Sequence, residues 1–166
     1  MCLLLTAQSA MAASISLSPT SNGYINQWTS SGAFANWVNV ADAACDGLTD
    51  FNQTSAVGNI DAYKVDLSAI PNGSNITSIA VEGCYANQFS VGTNSTPQVF
   101  YRWNGSNSGF VSLPLPSSNS IFLTNRNTWS SLSFSKTTSS ELEIGIKYRS
   151  GSKGLRVSQM RAIVDY

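Results

Sequence analysis

Three groups of residues have types and spacings that chemistry can use. Glu141 and Glu143 stand two positions apart in an alternating run, which sets their Cα atoms about 7 Å apart on one strand face, near the carboxylate separation of a glycosidase. Lys147 and Arg149 continue that face, so charge pairing on a solvent-exposed strand is preferred to catalysis. Asp42, Asp46 and Asp50 recur every four residues and, with Asp61, offer oxygens to a calcium ion. The spacing is not that of an EF-hand, so solvated loop acids are the simpler reading. The third group is Phe100, Tyr101, Arg102, Trp103 and Asn104. Val99, Tyr101 and Trp103 share one strand face, with Phe100 and Arg102 on the other, so one set meets the core and the other meets solvent or a partner. Flat rings beside Asn and Arg suit sugar rings and protein surfaces, because they bring apolar area at small entropic cost. These five are the candidate ligand-binding residues.

What is missing narrows the chemistry further. The chain has no histidine, the side chain that titrates near neutrality without help, and only 18 charged residues. No catalytic residue is assigned and no cofactor is expected beyond the calcium reading. The net charge is zero, which gives a nucleic-acid partner no electrostatic support. The charge is uneven, however: residues 1–100 carry six acids against Lys64, and residues 101–166 carry eight bases against three acids. Adjacent strands that neutralise each other explain this more simply than a dipolar subunit that stacks head to tail.

Cys45 and Cys84 form a candidate disulfide, with two buried thiols as the other reading; without histidine or a C-x-x-C pair, zinc is excluded. Residues 1–12 hold a short apolar run and a small-x-small pattern ending at Ala12. They read as a signal remnant, as an extension upstream of Met11, or as a donor strand for a neighbour, and they are too short to span a membrane.

The elements that position these groups have a period of two. Ile15 and Leu17 open the pattern; Pro19 to Gly23 reads as a turn, Tyr24 to Trp28 and Trp37 to Val40 as strands, and residues 41–59 as a long loop. Strand character resumes at Tyr63 to Leu67 and Ile76 to Tyr85. Gln98 to Trp103 and Phe110 to Leu113 flank a hairpin tip at residues 104–109. Ile121 to Thr124, Thr128 to Lys136, Glu141 to Arg149 and Leu155 to Tyr166 complete the set, with no sustained helical periodicity. Leu142, Ile144, Ile146 and Tyr148 face inward, with Glu141, Glu143, Lys147 and Arg149 toward water. The last strand begins with Leu155 and Val157 inward but shifts phase by Met160, Ala162 and Val164, which predicts a bulge near Ser158 and Gln159. The expected core holds these residues with Ile79 and Val81, and Ile144→Ala should cost several times more stability than Glu143→Ala. The fold class is all-β: an antiparallel, two-sheet jelly-roll β-sandwich over residues 13–166.

Several segments carry a resemblance. Gly23-Tyr24-Ile25-Asn26-Gln27-Trp28-Thr29-Ser30-Ser31-Gly32, then Trp37 to Asp42, Ile60 to Val65, Ile70 to Ile79, and the ending from Leu155 to Tyr166 resemble a loosely defined group of jelly-roll modules in bacteriophage virion and bacterial surface proteins. Met11-Ala12-Ala13 followed by the first strand is similar to the start of such modules. The resemblance implies assembly and surface attachment and supplies no catalytic residues. The first functional reading is therefore a non-catalytic structural or decoration subunit of a virion or cell surface, outside the cell, whose partners are its own copies or neighbouring surface proteins. The alternative is a secreted carbohydrate-binding module whose partners are glycans.

Overall fold

The alternation resolves into fourteen strands in a computed structural model that describes residues 12–32, 34–45 and 49–166. In chain order they are β1 (Ser14–Leu17), β2 (Pro19–Asn26), β3 (Thr29–Ser30), β4 (Asn52–Thr54), β5 (Ile60–Val65), β6 (Asn75–Ile76) and β7 (Ser78–Asn87). They continue as β8 (Thr96–Trp103), β9 (Ser106–Asn107), β10 (Val111–Ser112), β11 (Leu123–Trp129), β12 (Phe134–Ser135), β13 (Leu142–Ser150) and β14 (Leu155–Asp165). One sheet has the order β11, β7, β14, β4, β3, with β1 also on β14. The other has the order β10, β8, β13, β5, β2, with β9 on β8, and β12 pairs with β6. Every pairing is antiparallel. The fold is a two-sheet jelly-roll β-sandwich.

The core lies where the alternation places it. Leu142, Ile144, Ile146, Tyr148, Val157, Val164, Ile79 and Val81 are all buried in one cluster between the sheets. Each large aliphatic side chain buried this way contributes roughly 1.5–3 kcal/mol, so this cluster dominates the favourable side of folding. The phase shift in β14 is a bulge: Val157 pairs with Tyr85 and Gln159 with Cys84, leaving Ser158 as the extra residue. That insertion turns Met160, Ala162 and Val164 inward.

Four local expectations are corrected. Pro19 to Gly23 is strand, not turn: Pro19 opens β2, an edge strand whose register against β5 slips twice, a position that tolerates a residue with no N–H. Trp37 to Val40 is not a strand but leads into a single 3-10 turn over Val38–Val40. There the Asn39 amide is buried and donates to Ser30 Oγ (2.7 Å) and Asn52 Oδ1 (3.1 Å), which needs a turn and not an alternating ladder. The 41–59 stretch, expected as loop, carries β4. The hairpin tip is tighter than expected and is described below.

Asp61 explains how the 27–39 segment is held. Its Oδ1 accepts from the backbone N–H groups of Gln27 (2.9 Å) and Trp28 (3.1 Å), and its Oδ2 from Asn36 Nδ2 (2.7 Å) and the Tyr63 hydroxyl (2.9 Å). Asn52 Nδ2 in turn donates to Tyr63 Oη (2.9 Å) and to the Asn36 carbonyl (2.8 Å). Burial still raises the Asp61 carboxyl above its ordinary 3.8, outweighing the four donors that pull it down.

Candidate functional site

The site residues radiate from the end of β8. Asn104 and Gly105 both have positive φ (46° and 85°), the requirement of a two-residue hairpin turn, which favours Asn-Gly. The turn folds β9 back so that Ser106 pairs with Trp103 and Asn107 with Arg102. Asn104 locks it to the start of β13: its Oδ1 accepts from Glu141 N (2.8 Å) and its N–H donates to the Glu141 carbonyl (3.0 Å). Ser108 is bonded to both backbone groups of Tyr101, at 3.0 and 2.9 Å.

A cleft of about 280 Å³ results, lined by Tyr101, Trp103, Asn104, Ser106, Asn107, Ser108 and Phe134. Its wall is aromatic. Trp103 and Phe134 stack with centroids 5.2 Å apart and planes 11° apart, and Tyr101 meets Trp129 edge-on at 5.1 Å. Its rim is two amides and two hydroxyls. Tyr101 is the one ionisable lining residue, and burial raises its phenol above the ordinary 10.0, so it stays neutral. Tyr101 and Trp103 are also core residues, 6% and 8% exposed, so the cleft offers the accessible part of an aromatic wall and uncharged hydrogen-bonding groups, with no carboxylate, amine or imidazole in its lining.

The five residues singled out in the sequence divide between two places. Tyr101, Trp103 and Asn104 line this cleft, whereas Phe100 and Arg102 lie on the opposite face of the second sheet. That face is not the plain water-facing surface expected. Phe100 is fully buried but outside the inter-sheet core, in edge contact with Phe110 (5.0 Å) and Tyr24 (6.4 Å). Gly145 makes this room, since a Cβ there would come within 2.4 Å of the Phe100 ring.

Glu143 is corrected with it: it is 3% exposed, accepts from Arg102 Nη1 (3.2 Å) and Tyr24 N (3.0 Å), and sits over Gly23, where any Cβ would strike it. Glu141 remains exposed and pairs with Lys64 at 3.6 Å. Both acids thus take cations from neighbouring strands, not Lys147 and Arg149 of their own. Glu82 pairs with Arg161 (3.4 Å), and of these three ion pairs it alone joins an acid of residues 1–100 to a base of residues 101–166.

The Asp61 oxygens hold four protein donors, as noted for the 27–39 segment. Asp46 lies outside the described residues, and among the described ones no three acids or cysteines gather as a metal-binding group. The Asp42 carbonyl accepts from Gln159 Nε2 (2.5 Å), and Asp50 Oδ1 from the Thr49 hydroxyl (3.1 Å). Cys45 and Cys84 are joined by a disulfide, with Cα atoms 5.6 Å apart, and the Ser158 hydroxyl donates to Cys84 Sγ. The N-terminal alternatives for residues 1–12 fall almost wholly outside the described residues.

Sequence reasoning missed Phe134, whose signal was the alternation of Leu132, Phe134 and Lys136 among serines. It also missed a second cleft of about 300 Å³, at the opposite end of the strands, lined by Gln27, Thr29, Gln53, Thr54, Asn59 and Gln88 among others. Those amides come from four separate segments, so no local pattern could reveal them.

Fold and site together define a β-sandwich with neutral, polar-rimmed clefts. Solved structures share the architecture. The CBM36-1 domain of a multidomain xylanase from the hindgut metagenome of Trinervitermes trinervoides, a carbohydrate-binding module, superimposes with a TM-score of 0.50 at 9% identity, over 91% of this chain and 96% of that one. The C-terminal CBM6 of LamC, a marine laminarinase from Zobellia galactanivorans, superimposes with a TM-score of 0.50 at 14% identity, over 91% and 98% of the two chains. At such identities the likeness is one of fold. No family model and no curated protein matches the sequence. Among the described residues no helix is long and apolar enough to cross a membrane.

Proposed function

We propose that this protein is a non-catalytic carbohydrate-binding module acting outside the cell, with a neutral glycan as the ligand of the aromatic cleft. The observation that carries the reading is the Trp103 and Phe134 stack beside Tyr101, rimmed by the amides of Asn104 and Asn107 and the hydroxyls of Ser106 and Ser108. A pyranose ring has an apolar face that packs on an aromatic wall and a hydroxyl girdle that exchanges hydrogen bonds with amides, and neither contact needs a charge. The fold likeness favours this reading over the virion or surface subunit, since both structures named above are carbohydrate-binding modules. The Cys45–Cys84 bond agrees with an oxidising compartment.

The test is affinity electrophoresis through gels containing neutral polysaccharides, β-glucans and xylans among them. Retardation by at least one, weakened about tenfold by Asn107→Ala with an unchanged melting temperature, is the expected outcome. Asn107 is preferred to Trp103 because it is exposed and its loss leaves the core intact. No retardation in any neutral polysaccharide, or full retardation of the Asn107 variant, overturns the assignment.

A further inference from the structure

We infer that the outer face of the second sheet is a separate binding surface for an acidic polysaccharide, one bearing carboxylate or sulfate groups. The inference does not rest on the cleft reading, because it concerns the opposite face of β8 and a different chemistry.

A line of rings and cations crosses this face. Lys147 Nζ lies 4.6 Å from the Phe110 centroid, Phe110 meets Phe100, Phe100 meets Tyr24, and the Arg102 guanidinium lies 4.4 Å from the Tyr24 centroid. An outer sheet face stays soluble with short polar side chains alone. Here Gly145 and Gly23, both inside strands, leave room for the Phe100 ring and the Glu143 carboxylate to sink onto the backbone, which fixes the ring row rigidly. Tyr24 is 42% exposed at one end of the row, and Phe110 is half-buried at the other.

The charges point to the ligand. Lys64, Arg102, Lys147 and Arg149 face two carboxylates here, Glu141 and Glu143, and these are taken by Lys64 and Arg102. Lys147 and Arg149 are left without an acid among the described residues: Lys147 rests on the Phe110 ring, and Arg149 Nη1 donates to Ser112 Oγ at 3.3 Å. Arg149 is the extra residue of a bulge between Tyr148 and Ser150 in β13, but its guanidinium still reaches Ser112, which pairs with Gln98, which in turn pairs with Lys147, so the two cations border one patch and repel each other until an anion bridges them. The Gln98 amide, which donates to Ser112 Oγ (3.3 Å), adds an uncharged group beside them. Two uncompensated cations bordering fixed ring faces match a sugar unit that carries an anionic group on one side and an apolar ring face on the other. A bare anion would use only the cations, and a neutral sugar only the rings.

The experiment is isothermal titration of the full chain with polygalacturonate, with a sulfated galactan and with a neutral galactan, at low and at raised salt. Binding to at least one acidic polymer and none to the neutral galactan on this face is expected, and the two acidic arms distinguish carboxylate from sulfate recognition. The exposed double substitution Lys147→Ala/Arg149→Ala should weaken that binding about tenfold or more while leaving retardation by the neutral cleft ligand unchanged. Lys153→Ala serves as the control for general charge, since Lys153 Nζ is held by Asn94 Oδ1 (2.8 Å) in the loops beyond the far end of β13. Absence of binding to both acidic polymers overturns the inference, as does equal weakening by Lys153→Ala and the double substitution. Asn107→Ala, by contrast, should not affect acidic polymers, so the two surfaces fail or succeed separately.

Discussion

Glu143→Ala tests whether the outer face of the second sheet is a built surface or a plain solvated one. Removing the carboxylate takes the acceptor from the Tyr24 N–H and from Arg102 Nη1. A buried ion pair broken on one side costs about 3–5 kcal/mol, but the Arg102 side chain keeps 26% exposure and can turn partly to water. Its Nε also retains the Gly105 carbonyl at 3.0 Å. Discounting for that exposure and adding one orphaned backbone donor gives about 2–3 kcal/mol. Glu141→Ala removes a pair whose side chains are 62% and 43% exposed, worth about 0–0.5 kcal/mol. For a chain of this size these figures convert to losses of about 4–12 °C and under about 2 °C in Tm. Differential scanning calorimetry of the two variants beside Ile144→Ala, expected to lose about 2–5 kcal/mol, measures all three on one scale, and the burial of Glu143 removes the several-fold gap to Ile144→Ala that alternation alone leads one to expect. The alternation alone would place Glu143 beside Glu141 in cost; equal Tm losses for the two acidic variants refute the buried-pair reasoning.

Two further outcomes follow from buried groups. Because burial raises the Asp61 carboxyl above 3.8, its contribution to stability is fully present below that value and is lost as pH rises through its folded pKa. Asp66 and Asp165 act oppositely: hydrogen bonds from Ser68 and Ser78 lower them, so their contributions are present above 3.8 and lost as pH falls through their folded values. Urea unfolding of wild type and Asp61→Asn should therefore give a stability difference that shrinks from acid toward neutral pH, and a difference that grows contradicts the assignment. The Cys45–Cys84 bond closes a separation of 39 residues, for which restricting the unfolded chain is worth up to about 4 kcal/mol. Cys45→Ser/Cys84→Ser should unfold at correspondingly lower denaturant, and a midpoint within error of wild type shows that the bond does not hold the native state.

Legibility in the sequence followed the range of the interactions. The inward residues of β13 and the bulge at Ser158 could be read because side-chain alternation is a property of each strand alone. The 3-10 turn at Val38–Val40 could not, since Asn39 turns inward to partners on Ser30 and Asn52 that adjacent sequence does not announce. Tyr101, Trp103 and Asn104 were visible as site candidates because the Asn-Gly turn and the flanking rings are contiguous. Phe134 and the amides of Gln27, Gln53, Asn59 and Gln88 converge only through sheet topology. The burial of Glu143 was hidden for the same reason: its cover comes from Gly23 and from Tyr24, which lies 119 residues away in sequence.

Tyr166 is bonded to Ala13 in both directions, N–H to carbonyl at 2.8 and 2.9 Å, so β1 and β14 close side by side like the two halves of a zip. Tension applied through these two points would load the β1 to β14 hydrogen bonds one after another and not all at once, and β1 would peel before the core resisted. Behind it lies the Cys45–Cys84 bond, which withholds its 39-residue span from extension, about 130 Å of chain that mechanical unfolding cannot release until the sulfur bridge is reduced. Pulled from Ala13 and Tyr166, the sandwich would yield first along β1 and then stop short of its full contour length.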